Sequence, residues 1–518
     1  MTDRMTENLS TESTPASSPR PRRRVVQNTV FSVLSRVLSA VVSYSATVML
    51  LRALSVEHYG LYSVLYVGVI VNLNYLGQLG IPNLLSRFVP EFFTQSNFRF
   101  IHRLFSRANL VQVAFAAVLL IITFLLAPNI ARWMGLPGSA TVLRVFAAGA
   151  FAYVISTNFR VALGALFQHR TIFFVDLGYG ILRLAVVYWI TRQPDPVLAI
   201  VAAEGALFLA LLAGYFAAYR IIMRPRLAQD THVIENPQWG RYVRYSSWYY
   251  LNELGLVLVN QATDMFLVTG LLGAVAAGIY GLANRILQMT LKILPDRMFQ
   301  EVVAPVFYSE YGTRTPAEAR FGFNLLVKVS LLTSLPLVLW LSVMSRPIIV
   351  EFFDARYADA AAILSVCAPF LSMAAVYYPL TIMLQNAERP DLLLYSQIVG
   401  VVKIAVSLWL LPLGGVMAMA WITSIATLVQ VLLLYAFIVR VLKVHTDYVA
   451  VGRLLLNGGL AAGALYLLSP LFQGALGVIA SVPIYAAIYL TVSMVNRSFS
   501  EKERELINSK LPWPLWRF

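Results

Sequence analysis

Long apolar segments alternate with short polar ones along the whole chain. An α-helix needs about 20 apolar residues to cross a bilayer, and these segments have that length or come close to it. They are too long and too evenly apolar for the alternating strands of a membrane β-barrel. The pattern predicts an all-α polytopic membrane protein of about fourteen spans. The predicted spans are residues 26–51, 59–80, 104–127, 141–167, 172–191, 197–219, 245–270, 276–307, 322–344, 358–385, 392–411, 416–439, 454–469 and 477–495.

Short motifs recur at an offset close to 218 residues. Gly60 and Tyr62 of one motif match Gly278 and Tyr280, and Pro128 matches Pro347 in the same way. GILRLAV, which begins at residue 180, matches GVVKIAV, which begins at 400. Six spans separate the two copies, so both copies have the same orientation across the membrane. We therefore predict two parallel six-helix bundles followed by two added helices, with a working site where the bundles meet.

The same pattern divides the chain into six regions. The first is polar, rich in Ser, Thr and Pro, ends in an arginine cluster, and is predicted to be disordered. Two bundles follow, separated by a basic linker, and then two further spans and an amphipathic tail. The predicted boundaries are 1–24 for the N-terminus, 25–222 for the first bundle, 223–243 for the linker, 244–442 for the second bundle, 443–496 for the added spans and 497–518 for the tail.

Polar residues form stripes at helical spacing within several spans. Ionisable groups are costly in hydrocarbon, so they should face a wet interior or a partner side chain. The alternative is that the Ser and Thr residues of these stripes only hold helices together. The stripes are Asn28, Ser32, Arg36, Ser39, Ser43 and Thr47 in span one, Glu253, Asn260 and Asp264 in span seven, and Arg285, Gln288, Lys292 and Asp296 in span eight.

A second set of basic residues follows the repeat. Arg183 and Lys403 occupy equivalent places near the middle of spans five and eleven. Arg183 either lines a cavity or pairs with Glu204 on the next span, and the sequence leaves both alternatives open. Arg107 and Lys328 nearly correspond in spans three and nine, where reaching out to the membrane surface explains them better than a cavity does. Basic groups outnumber acidic ones within the spans, which favours an anionic substrate carrying phosphate.

Charge and composition narrow the function further. The net charge is +15, and the loops on the side opposite the N-terminus hold only five Lys and Arg residues. This asymmetry places both termini in the cytoplasm and explains the charge without nucleic acid. Metal-binding, nucleotide-binding and nucleophile–base motifs are absent from the sequence, and the single cysteine excludes an intrachain disulfide. We expect neither a cofactor, nor a bound metal, nor an enzymatic activity.

Three motifs carry a resemblance to a known family. RALSVEHYGLYS, LGQLGIPNLLSRFVPEF and DMFLVTGLLGAVAAGIYGLANRI resemble the polysaccharide-biosynthesis flippases of the multidrug/oligosaccharidyl-lipid/polysaccharide exporter superfamily. The resemblance implies two bundles around a central cationic cavity, alternating access, and transport of polyprenyl-pyrophosphate-linked oligosaccharide across the bacterial cytoplasmic (inner) membrane. Partners would be membrane lipids and the machinery that polymerises the sugar and sets its chain length.

The resemblance also places residues in the cavity. Relatives line it mainly with helices one, two, seven and eight, so the matching cations here are Arg36, Arg52, Arg285 and Lys292. Arg183 and Lys403 join them as candidates on the repeat argument. The acids that could couple transport to a cation or hold helices together are Glu253, Asp264 and Asp296. The alternative function is a cation-coupled multidrug or small-molecule antiporter of the same fold.

Overall fold

The computed structural model describes residues 34, 38–39, 41–133, 140–192, 196–231, 238–293, 316–387 and 389–510 of the 518-residue chain. The described part is built from helices and contains no strand. Eleven of its helices are long and apolar enough to cross a membrane. The predicted all-α, multi-pass membrane fold is confirmed.

Seven helices form the first half of the described chain. The second of them includes a π-helical stretch at Val64–Val69. The helices are α1 (Val41–Ala53), α2 (Val56–Gly77), α3 (Ile81–Thr94), α4 (Phe98–Trp133), α5 (Ala140–Ala165), α6 (His169–Ile190) and α7 (Pro196–Gln229).

Six helices form the second half, and three more follow it. The second half consists of α8 (Trp239–Val259), α9 (Gln261–Leu272), α10 (Ala274–Ile293), α11 (Pro316–Val343), α12 (Ala360–Asn386) and α13 (Ile398–Leu442). The added helices are α14 (Tyr448–Leu468), α15 (Gly474–Val495) and α16 (Glu501–Lys510). Short helical turns lie at Ser345–Ile348, Ile349–Phe353, Ala355–Tyr357, Pro390–Ser396 and Ser469–Leu471.

Each predicted span overlaps a helix, but several boundaries differ. Predicted spans 392–411 and 416–439 form one segment, which Gly415 divides with a φ of 61° and a ψ of −158°. The predicted span 245–270 is interrupted at Asn260, whose ψ of 144° is extended. The stretch 81–103, predicted as a loop, contains α3, which begins after Gly80 in a left-handed conformation. The structure ends α10 at Ile293, so the rest of predicted span 276–307 lies outside the described residues.

Apolar side chains separate into an inner and an outer set. The largest buried cluster joins both halves and includes Leu50 and Leu51 of α1, Met265 of α9 and Tyr280 of α10. Many other large apolar side chains are exposed on the outer helix faces, such as Leu467 at 79%. This exposure is the arrangement expected of helices whose outer face meets lipid rather than water.

Gly60 and Gly278, matched in the sequence repeat, pack against each other where α2 meets α10. A Cβ added to Gly60 would lie 1.9 Å from the carbonyl oxygen of Ala274, and one added to Gly278 would lie 2.4 Å from that of Val56. Val56 and Ala274 are themselves equivalent in the repeat. Each contact therefore has its counterpart in the other half, which is how a two-fold axis relates two copies. Only glycine allows the two helices to come this close.

Candidate functional site

The two halves meet along α2, and we call this surface the seam. Gly60 and Gly278 lie at one of its ends, and Leu76, Leu79, Ser246 and Tyr250 lie at the other. Here Ser246 Oγ donates a hydrogen bond of 2.7 Å to the carbonyl of Leu79, and Tyr250 OH donates one of 3.1 Å to that of Leu76. Gly80 makes this approach possible, since a Cβ there would lie 2.3 Å from the carbonyl oxygen of Ser246. The seam is therefore held at both ends of α2.

Asn83 and Glu253 add a polar contact at the same end of the seam. Asn83 Nδ2 donates to Glu253 Oε1 at 2.7 Å, and the glutamate is buried with 7% of its surface exposed. Its second oxygen, Oε2, has no hydrogen-bond partner among the described residues. Glu253, predicted as a coupling or packing acid, thus lies directly between the halves. The polar run YSSWYY, which begins at Tyr245, is a weak sequence signal for this side of the seam.

Arg285 lies on the seam between these two ends. Its guanidinium lies over the ring of Tyr66, 4.8 Å from the centroid, and its Nε donates to Thr47 Oγ1 at 3.3 Å. The residue is only partly buried. None of the ion pairs in the described part of the chain includes Arg285. This leaves a cation between the halves whose described neighbours are an aromatic face and a hydroxyl group.

Arg183 is not an unpaired cavity cation. It is buried, and its Nη2 lies 2.6 Å from Glu204 Oε1, while its Nε donates to both carboxylate oxygens of the same residue. Tyr62 OH donates to Glu204 Oε1 at 3.0 Å. The structural pairing, one of the two alternatives open for Arg183, is the one present, because a buried guanidinium needs a compensating charge.

Lys403 is also paired, contrary to its predicted place among the cavity cations. Its Nζ lies 2.6 Å from Asp264 Oδ1, and both side chains are 0% exposed. Tyr280 OH and Thr423 Oγ1 donate to Asp264 Oδ2 at 3.0 and 2.6 Å. Asp264 therefore neutralises a lysine inside the second half, as Glu204 neutralises Arg183 inside the first.

The other predicted residues fall in different places. Arg52 is exposed at the end of α1. The side chain of Lys292 is outside the described part of the structure, as are Arg36 and Asp296 altogether. Arg36 and Lys292 therefore stay predictions as cavity cations, and Asp296 stays a prediction as a coupling or packing acid. In the described residues, no group of three His, Cys, Asp or Glu side chains is arranged to hold a metal.

The Lys328 side chain is buried beside two carboxylates. Its Nζ is buried between Glu503 of α16, at 3.0 Å, and Asp447 before α14, at 2.9 Å. Arg107 instead places its guanidinium over the ring of Trp239 at 4.5 Å. The two residues match in the repeat, but only Lys328 meets the added C-terminal helices. Of its two carboxylate partners, Glu503 belongs to the added helix α16.

A turn before α12 closes over the end of α1. Arg356 Nη2 donates to the carbonyl of Leu51 at 2.6 Å and Nη1 to that of Leu54 at 3.3 Å. A cation is favourable at a helix C-terminus, where carbonyl groups lack partners. Arg356 also binds Asp354, and its hydrogen bonds lower the pKa of that carboxyl, with a smaller contribution from the nearby charge of Arg52. This turn forms a second tie between the halves.

Comparison with known proteins agrees with this architecture. A family model described as polysaccharide biosynthesis protein matches residues 49–362, more than half of the chain. The chain belongs to this family. A curated relative, the teichuronic acid biosynthesis protein TuaB of Bacillus subtilis (strain 168), is 27% identical over 271 residues, 51% of this chain and 53% of that protein. The chain thus spans about half the length of the curated relative that it matches.

Solved structures share the fold at low sequence identity. The lipid II flippase MurJ in an inward closed conformation has a TM-score of 0.66 and 14% identity, covering 93% of this chain and 100% of that one. An inward-facing multidrug resistance MATE family transporter of the MOP superfamily has a TM-score of 0.62 and 13% identity, covering 80% and 99%. The chain therefore has the predicted fold, which it shares with these membrane transporters.

Proposed function

We propose that this protein is a flippase that carries a polyprenyl-pyrophosphate-linked oligosaccharide across the bacterial cytoplasmic membrane for surface polysaccharide export. The family of polysaccharide biosynthesis proteins and the transporter fold support this proposal. Both termini face the cytoplasm in this arrangement. The carried sugar then reaches the polymerase and chain-length machinery on the outer side.

Arg285 carries the proposal about the substrate. A guanidinium between the two halves, with an aromatic ring and a hydroxyl as its described neighbours, is suited to a phosphate group, which it can bind through two parallel hydrogen bonds. The pyrophosphate of a lipid-linked sugar brings the negative charge that the site lacks. The sugar itself is uncharged or variable and needs space more than specific contacts. The prenyl chain stays in the lipid beside the bundles.

The contacts that join the halves support alternating access as the mechanism. At one end of the seam the contacts include hydrogen bonds from Ser246, Tyr250 and Asn83, and at the other they include glycine packing and the turn held by Arg356. The largest buried cluster also joins the halves, so opening on either side requires part of that cluster to repack. Opening one set at a time exposes Arg285 to one side of the membrane and then to the other.

The alternative is a cation-coupled antiporter of small organic molecules, which the similarity to MATE transporter structures favours. That activity calls for an acid free to exchange a cation. Asp264, one of the candidates, is instead bound by Lys403, Tyr280 and Thr423, whereas Glu253 keeps one carboxylate oxygen without a partner among the described residues. We prefer the lipid-linked sugar as the substrate because the chain belongs to the polysaccharide biosynthesis family.

Transport by the purified protein in liposomes tests this proposal. The assay compares three fluorescent substrates: a pyrophosphate-linked oligosaccharide on a polyprenyl chain, the same molecule with a neutral linkage, and an organic cation dye. We expect only the pyrophosphate-linked molecule to change leaflet faster than in protein-free liposomes. Equal transport of the neutral molecule would refute the role of phosphate, and transport of the dye alone would establish the antiporter.

A further inference from the structure

The helix that crosses the second half beside the seam is broken in its middle. α8 ends at Val259 and α9 begins at Gln261, and the Asn260 side chain caps the new helix by accepting a hydrogen bond from Ala262 N at 3.0 Å. A break of this kind leaves backbone carbonyl groups without a helical partner. Inside a membrane such carbonyls must find a donor or a cation, because lipid offers neither.

Lys403 fills this need with its ammonium group. Its Nζ donates to the carbonyls of Val259 at 2.7 Å and Asn260 at 3.3 Å, and it lies 2.6 Å from Asp264 Oδ1. The ammonium thus donates hydrogen bonds to two carbonyls and forms an ion pair with the carboxylate. Two carbonyls at a helix break and one carboxylate are also the ligands with which broken membrane helices bind a monovalent cation.

The first half shows that a buried ion pair does not require this cage of oxygens. Arg183, the equivalent of Lys403, binds the carboxylate of Glu204 and Tyr62 OH, and its hydrogen bonds with the described residues are all to these side chains. Among the residues that the structure describes, Arg183 thus pairs with its carboxylate without the carbonyls of a helix break, whereas Lys403 contacts both.

We propose that Val259, Asn260 and Asp264 form a monovalent-cation site that the chain occupies permanently with the ammonium of Lys403. In the native protein the site takes up neither Na⁺ nor K⁺. Shortening Lys403 opens it to a free monovalent cation, which then neutralises Asp264. This inference concerns ion occupancy and holds for any transported substrate.

Equilibrium binding of ²²Na⁺ to the purified full-length protein tests the proposal. We expect no saturable binding by the native protein and about one ion per chain in Lys403→Ala, with K⁺ or Li⁺ as competitors. Lys403→Met keeps the volume filled, and Lys403→Ala combined with Asp264→Asn removes the charge, so neither should bind. Arg183→Ala is the matched control, since it leaves Glu204 unpaired without the carbonyl cage and should bind no Na⁺.

Thermal unfolding in NaCl, KCl and choline chloride provides a second measurement. Ligand binding to the folded state raises Tm. We expect the Tm of Lys403→Ala to rise by several degrees when Na⁺ or K⁺ replaces choline, and the native Tm to stay unchanged.

Four outcomes would overturn the proposal. The first is saturable Na⁺ binding by the native protein that Asp264→Asn abolishes. The second is a Lys403→Ala variant that folds but neither binds Na⁺ nor changes its Tm when Na⁺ or K⁺ replaces choline. The third is equal Na⁺ binding by Arg183→Ala. The fourth is failure of both Lys403→Ala and Lys403→Ser to fold in any of the three salts, since no free cation would then replace the ammonium.

Discussion

The guanidinium of Arg285 lies over the ring of Tyr66, with 4.8 Å between its central carbon and the ring centroid. Tyr66 belongs to α2 of the first half and Arg285 to α10 of the second, so this contact crosses between the repeats. A guanidinium–aromatic contact of this kind is worth only about 0.5–1 kcal/mol at an accessible site. The arginine is therefore free to exchange the ring for a stronger anionic partner at little cost.

We expect Arg285→Ala to abolish transport of a pyrophosphate-linked oligosaccharide while changing the free energy of unfolding by about 1 kcal/mol or less. Arg285→Lys should keep part of the activity, because lysine supplies the charge but not the two-pronged hydrogen bonding. Leaflet exchange in liposomes and thermal unfolding measure the two effects. Arg192→Ala, a change at an exposed arginine beside Tyr188, is the control and should be neutral in both. Full transport by Arg285→Ala would remove this residue from the mechanism.

Substituting Gly60 should force the halves apart at the Gly278 contact. In Gly60→Ala the new Cβ would lie 1.9 Å from the carbonyl oxygen of Ala274, so the backbone has to shift. We expect a loss of about 1–3 kcal/mol in the free energy of unfolding, as for other overpacked sites. Gly459→Ala in α14 is the control, because nothing lies within 4 Å of its Cβ position, and it should be neutral or slightly stabilising. Equal stability of the two variants would mean that the close approach is not present.

Breaking the buried pair of Arg183 and Glu204 should destabilise the first half. Arg183→Met leaves the Glu204 carboxylate buried without its partner, which typically costs about 3–5 kcal/mol. Combining it with Glu204→Leu removes both charges and should restore most of the stability. Denaturation of the single and double variants in detergent measures the difference. A double variant no more stable than Arg183→Met would show that the pair is not the cause.

Hydropathy was sufficient to locate the membrane spans, and the repeat offset was sufficient to match Gly60 with Gly278. The partners of the charged residues were harder to predict, because helical periodicity tells which face of its helix a residue occupies but not which residue lies opposite that face. Arg183 and Lys403 have equivalent positions, yet their carboxylates come from α7 and α9 respectively, so the repeat alone misleads. The helix break at Asn260 could not be predicted from the sequence, because neither proline nor glycine lies beside it.

Local polarity explains the other differences. Helix α3 is amphipathic, and its polar face carries Ser86 and Arg87, so no stretch of it is apolar enough to resemble a span. Its start signals, Gly80 and Pro82, are also typical of the end of a preceding helix. The sequence around Lys328 does not indicate its partner, because Glu503 lies 175 residues further along the chain. The pattern of apolar and polar residues does not predict contacts between residues that are far apart in sequence.

Acid should weaken the turn that joins the halves at the end of α1. Hydrogen bonds from Arg356 lower the pKa of Asp354 below its ordinary value of 3.8. A lowered pKa means that the ionised form stabilises the fold above that ordinary value and that this contribution is lost as pH falls through the lowered one. We expect the stability difference between the native protein and Asp354→Asn to be constant from pH 7 to about 5 and to shrink below about 4. Thermal unfolding across this range measures it, and a difference independent of pH would contradict the assignment.

Neutralising Glu503 should release the C-terminal helix α16 from the second half. Both oxygens of Glu503 accept from Lys328 Nζ, at 3.1 and 3.0 Å, and both side chains are at least 96% buried. In Glu503→Gln the lysine keeps only the partly exposed Asp447 as a charged partner, so docking of α16 should weaken. We expect faster hydrogen exchange across Glu501–Lys510 and faster trypsin cleavage at Lys502, with transmembrane helices unaffected. Glu501→Gln is the matched control, since that side chain is 89% exposed and pairs only with Arg504 at 3.9 Å. Equal protection of α16 in both variants would show that the helix is held by its apolar contacts and not by the ion pair.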